Sequence, residues 1–162
     1  MDYKLIVSKL HNLHQDRDTK GFNAFDFVHA FGSESEALRY ASLFWPDFVE
    51  VEGMIFLATT IETDDDRRRV TETFERNQQD PIKTEQAFNF VEITSLFGCS
   101  LSEGDDEVDR LLAELLSQMW AARLKGLFPM RSFKFDLVKP TLAGEEFAVR
   151  FWQKPLEEPC KD

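Results

Sequence analysis

Three histidines, two cysteines and a dense group of carboxylates are the residues of this 162-residue chain with chemistry to offer. His11, His14 and Asp18 fall at i, i+3 and i+7. On a helix that spacing gathers two imidazoles and a carboxylate on one face, the donor set of a zinc site. The polar run Gln15-Asp16-Arg17-Asp18 also marks a fraying helix end. A hydrated helix face accounts for these residues, and no metal is expected. His29 lies between Phe27 and Phe31. A lone imidazole among rings is ordinarily packed and hydrogen-bonded. Its rival role is in a Phe-lined pocket near His29 of a small enzyme or ligand-binding protein. Cys99 has no basic neighbour in sequence to activate its thiol, and with Cys160 it forms no CxxC pair.

Glu103, Asp105, Asp106, Glu107 and Asp109 form the densest acidic cluster. A calcium loop needs alternating ligands, a central glycine and a glutamate at its twelfth position, and that spacing is absent. At a helix start each carboxylate stabilises the fold by about 0.3–1 kcal/mol through the helix dipole. Their fixed geometry also makes these five residues the candidate binding cluster. Arg67-Arg68-Arg69 directly follows Asp64-Asp65-Asp66, which nearly neutralises it, so a solvated helix face is expected there. The chain has no Gly-rich phosphate loop, G-x-S-x-G elbow, kinase signature set or HExxH motif. No catalytic set and no cofactor are expected.

Charge narrows the partners. The chain carries 19 basic and 30 acidic side chains, a net charge of −11. Nucleic-acid binders draw most of their affinity from neutralising phosphates, so a nucleic-acid partner is disfavoured, and an anionic membrane surface likewise. Residues 61–110 hold 14 acidic and 6 basic side chains, a net of −8, whereas residues 111–162 carry a net of +1. The middle of the chain would therefore attract a basic protein, although the same charge also serves solubility. The expected function is a small acidic protein-interaction module, of the inhibitor or immunity type that neutralises a basic partner. Few cysteines, a short apolar run after Met1 and no long apolar stretch point to a cytoplasmic protein without a membrane span.

The elements that must position these residues are legible as hydrophobic periods and caps. Leu5, Ile6, Leu10 and Leu13 suggest a helix over 3–14. Asn23 caps a second helix that Gly32 stops, and Ser33 with Glu36 opens a third, ended by Pro46. Phe22, Phe25, Phe27 and Phe31 point around much of the second helix, so burial from two sides is expected. Residues 48–52 and 54–58 read as two strands, or one strand bulged at Gly53, the latter run apolar on both faces. Thr63 caps a peripheral helix to about Gln78, and Asp80-Pro81 opens another to about Phe97. From Asp106 to Leu127 apolar residues recur at threes and fours over six turns, the spine of the core. Phe133, Phe135 and Leu137, then Phe147, Val149 and Phe151, alternate as a hairpin. The pattern predicts an α+β fold. A small, mainly antiparallel sheet, with strand pairs near 48–58 and 131–153, packs against several helices. It places one globular domain at 1–154, with Trp120 buried, and a loose tail at 155–162.

Overall fold

The computed structural model describes residues 3–97, 106–139 and 147–155. Three helices lead: α1 (Tyr3–Leu13), α2 (Ala24–Phe31) and α3 (Glu34–Phe44). Asn23 caps α2 by accepting from the amides of Phe25 and Asp26, while the Asp26 carboxylate accepts from the Asn23 amide at 2.8 Å. The Ser33 hydroxyl accepts from the Glu36 amide to start α3. Strands β1 (Phe48–Val51) and β2 (Met54–Leu57) then pair antiparallel, Val51 opposite Met54. Glu52 and Gly53 take φ of 51° and 80°, the left-handed pair that a two-residue hairpin turn demands. This settles the alternatives for 48–58 in favour of two strands.

A 3₁₀ turn (Ala58–Thr60) leads to α4 (Asp64–Arg76), opened by a reciprocal cap between Thr63 and Asp66. Helix α5 (Pro81–Phe88) follows, then β3 (Phe90–Glu92) and α6 (Ile93–Phe97). The single helix expected from Pro81 to Phe97 is thus broken in the middle. Phe90–Glu92 pairs antiparallel with the last strand, and that tertiary pairing outweighs the helical pattern around it. Helix α7 (Asp106–Leu127) spans the expected residues. Strands β4 (Phe133–Val138) and β5 (Ala148–Gln153) form the expected antiparallel hairpin, and the three-stranded sheet has the order β3-β5-β4. The hairpin connection at 140–146, Cys99, Cys160 and the tail from 156 lie outside the described residues.

The core is built on α7. Leu111, Ala113, Leu116, Trp120 and Leu124 are its buried residues, and the last four pack with Val149 and Phe151 of β5, Ile93 of α6, and Ile55 and Leu57 of β2. Trp120 is 1% exposed, its ring edge-on to Phe151. The opposite face of β2, Met54 and Phe56, packs with Val51, Ile61 and Val70 of α4. The period-two alternation of β2 therefore feeds two clusters, which is why all four of its residues are apolar.

Helix α5 joins the two sheets through side chains. The edge of β2 that faces away from β1 meets Glu85 and Asn89, one helical turn apart. The amide of Ile55 donates to Glu85 Oε1 at 2.7 Å and the amide of Leu57 to Asn89 Oδ1 at 3.3 Å, while Asn89 Nδ2 donates to the Ile55 carbonyl at 2.8 Å. On its other side Glu85 accepts from the amide of Gln153 at 2.7 Å and from Gln153 Nε2 at 2.6 Å. β3 covers β5 only along residues 148–150, and α5 takes over beyond that point. Two polar side chains thus do what a neighbouring strand would do for buried backbone groups.

Candidate functional site

The aromatic run after Gly21 folds against α1. His11 Nδ1 is 3.0 Å from Thr19 Oγ1, and its ring stands edge-on to Phe27 with centroids 4.9 Å apart. His14 stacks on Phe31 at 4.1 Å and nearly parallel. Phe22 closes the group against Phe27. His11 and His14 are therefore engaged by rings and one hydroxyl, Asp18 accepts from the Lys20 amide, and no cluster of three metal-ligating side chains occurs among the described residues. Two-sided burial of the four phenylalanines does not hold. Phe27 alone is buried, Phe22 is half-buried, Phe31 lies at the margin, and Phe25 is 85% exposed. A short helix has one buried face, and no loop or helix among the described residues covers the other.

Helix α3 extends that uncovered surface. Every residue from Phe31 to Ser42 is exposed, and α3 reaches the core only through Leu43 and Phe44 at its last turn. The reason is in its sequence. Ala37, Tyr40, Ala41 and Phe44 fall at i, i+3, i+4 and i+7 on one face, but two of the four are alanines, so this stripe offers little apolar area to the core before Phe44, and Leu38 stands off it. The last turn is anchored firmly. Trp120 Nε1 donates to the Leu43 carbonyl at 2.8 Å, and Arg123 pairs with Asp47 at 2.8 Å while lying over the Trp45 ring. Val28 of α2 is 67% exposed and Leu38 of α3 is 74% exposed.

Between the two helices runs an open groove of about 510 Å³. Val28, Gly32, Ala37 and Tyr40 give it apolar surface, Glu34 and Glu36 line one side, and His29 faces it from α2. The groove beside His29 contains no phenylalanine; Phe27 and Phe31 pack against His11 and His14 instead, and Phe25 is exposed. Gly32 sets the tight connection, because a Cβ there would lie 2.8 Å from the Val28 carbonyl oxygen.

The acidic cluster is only partly in view. Glu103 and Asp105 lie outside the described residues. Asp106, Glu107 and Asp109 occupy the first turn of α7 as expected. Glu107 forms ion pairs with Lys9 of α1 and with Arg110, so part of this cluster ties α1 to α7. Arg68 pairs with Asp65 at 3.0 Å and Arg69 with Asp66 at 3.4 Å, which leaves the arginine run on a hydrated, largely neutralised face.

Electrostatics single out a residue that sequence reasoning missed. Burial pushes the Glu85 carboxyl above the usual glutamate range, against the pull of its bonds from Ile55 and Gln153 and of the nearby Arg131. Glu85 also borders a cavity of about 400 Å³ with Met54, Phe74, Ile82 and Gln153. Both carboxylate oxygens accept hydrogen bonds, from Ile55 on one side and Gln153 on the other, which marks the group as a structural bridge. The caps behave in the opposite way: the Thr63 hydroxyl holds Asp66 below the usual aspartate range, and the Lys83 amide does the same for Asp80. No described helix is long and apolar enough to cross a membrane. Comparison with protein-family profiles, curated proteins and solved structures found no match.

Proposed function

We propose that this protein is an acidic interaction module that docks a basic protein on the α2–α3 layer. The observation that carries the reading is the layer itself: Phe25, Val28 and Leu38 are displayed on two helices that together bury one side chain. Large apolar side chains held out on neighbouring helices favour a partner that covers them. The net charge of −11 supplies long-range attraction for a basic partner and slows encounter with acidic ones. Glu103, Asp105, Asp106 and Asp109 contribute to that field, as does Glu107, which also pairs with Lys9. By charge and size the inhibitor or immunity class remains the matching type of role.

A photo-reactive benzoylphenylalanine in place of Leu38 tests this, with the same group in place of Arg68 on α4 as control. In native-cell lysate at low salt, a basic protein should be captured at position 38 and not at 68, and lost at high salt. Equal capture at both positions, or an acidic partner, would contradict the reading. The ligand-binding alternative draws on the same groove, where His29, Tyr40 and two glutamates meet. It predicts turnover or a thermal shift in a metabolite screen, abolished by His29→Ala.

A further inference from the structure

We infer that the α2–α3 groove reads a short linear segment of its partner, an apolar anchor side chain flanked by arginine or lysine. This rests on the interaction reading above and adds what the groove selects. Its apolar surface is small: Val28 on one helix, Ala37 and Tyr40 on the other, with Gly32 between. A volume of about 510 Å³ admits a few side chains. Glu34 and Glu36 stand along the same groove, one helical turn before Ala37 and Tyr40. The Ser33 hydroxyl donates to Glu36 Oε2 at 3.0 Å, which fixes that carboxylate in place with acceptor capacity remaining. An arginine entering here lays its stem along Ala37, sets its guanidinium against the Tyr40 ring and reaches the glutamates, while a neighbouring leucine or aromatic residue covers Val28.

Charge decides between occupants. A second copy of this chain would bring −11 against −11 and its own Glu34 and Glu36 into the contact. A nucleic acid would meet the same repulsion. A cationic, apolar-anchored peptide meets attraction at long range and apolar surface on contact.

The test uses fluorescein-labelled Gly-Arg-Leu-Arg-Leu-Arg-Gly, with two controls in which serine replaces leucine or glutamate replaces arginine. Anisotropy is read at low ionic strength against the full chain. The Arg-Leu peptide should bind, and both controls should bind more weakly by about fivefold or more. Glu34→Gln with Glu36→Gln should weaken it by about fivefold, whereas Asp65→Asn with Glu72→Gln, the same charge change on α4, should cost about twofold or less. Val28→Ser should weaken it with no change in charge. Circular dichroism confirms that each variant is folded. Equal losses from the groove and α4 pairs, or equal binding of the Arg-Ser peptide, would reduce the interaction to general charge and overturn the inference. Absence of peptide binding while the position-38 cross-link persists would overturn the linear-segment claim and leave the interaction reading standing. Self-association rising with concentration would identify a second copy as the occupant.

Discussion

The helical layer α1–α3 and the body from β1 to β5 are built on different terms. In the body, Leu116, Trp120 and Leu124 of α7 and Val149 and Phe151 of β5 are fully buried, and even buried polar groups such as Glu85 and Asn89 are bonded to both sheets. In the layer, the described helices bury only Phe27, and α3 is held at its last turn through Trp120 and Arg123. Hydrophobic burial at about 25 cal/mol per Å² concentrates stability in the body. The layer contributes little to that total and displays surface instead. Residues there are consequently available to change without unfolding the protein, the property a docking surface needs.

The largest test of this contrast is Trp120→Ala. It removes a fully buried ring and the bond that anchors α3, so urea unfolding should report a loss of about 3–5 kcal/mol. A loss under about 1 kcal/mol would dissolve the contrast. Next comes Glu85→Ala, which strands the buried amide of Ile55 and the half-buried amide of Gln153, for a loss of about 2–4 kcal/mol.

Glu85→Gln sharpens the electrostatics. The folded carboxyl holds its proton more tightly than the unfolded one, so its contribution is largest below the usual glutamate value of about 4.3. That contribution shrinks as pH rises through the elevated folded value. The stability of the wild type relative to Glu85→Gln should therefore fall as pH climbs from about 4 toward neutrality. A difference that is flat or rising over that range would contradict the assignment. Asp66 and Asp80 run the other way: their folded values are lowered, so the stabilisation they give is present above the usual aspartate range and lost on acidification.

Phe27→Ala comes third, with an expected cost of about 1–2 kcal/mol. The variant should disorder the contacts of His11 and Phe22 while near-UV signals from Trp120 persist. The smallest effect belongs to Leu38→Ser, within about 0.5 kcal/mol of wild type in stability, yet lowering capture of the partner.

Much of the fold was legible because its signals are local. Asn23, Ser33, Thr63 and Asp80 each start a helix where a cap was read, and the apolar period of 106–127 marks α7 to the residue. β3 was not legible. Three residues give no period, and their strand identity comes from β5, some 58 residues further along the chain in the pairing of Val91 with Val149. The pairing of Glu85 and Asn89 with β2 escaped for the same reason: a polar i, i+4 pair on a helix reads as surface until a strand edge thirty residues earlier is brought to it. Charge density marks the start of α7, and the groove at α2–α3 is a further surface that charge density alone does not mark. The density of Phe in 22–31 is plain in the sequence, but which rings turn inward depends on α1, whose fit to Phe27 and Phe31 spacing does not encode.

Native-state hydrogen exchange tests the division between layer and body most directly. Amides of α2 and α3 should exchange through local openings, at free energies several kcal/mol below those of α7 and β5, whose exchange should require global unfolding. Equal protection of α3 and α7 would mean that the two regions unfold as one unit and would contradict the account.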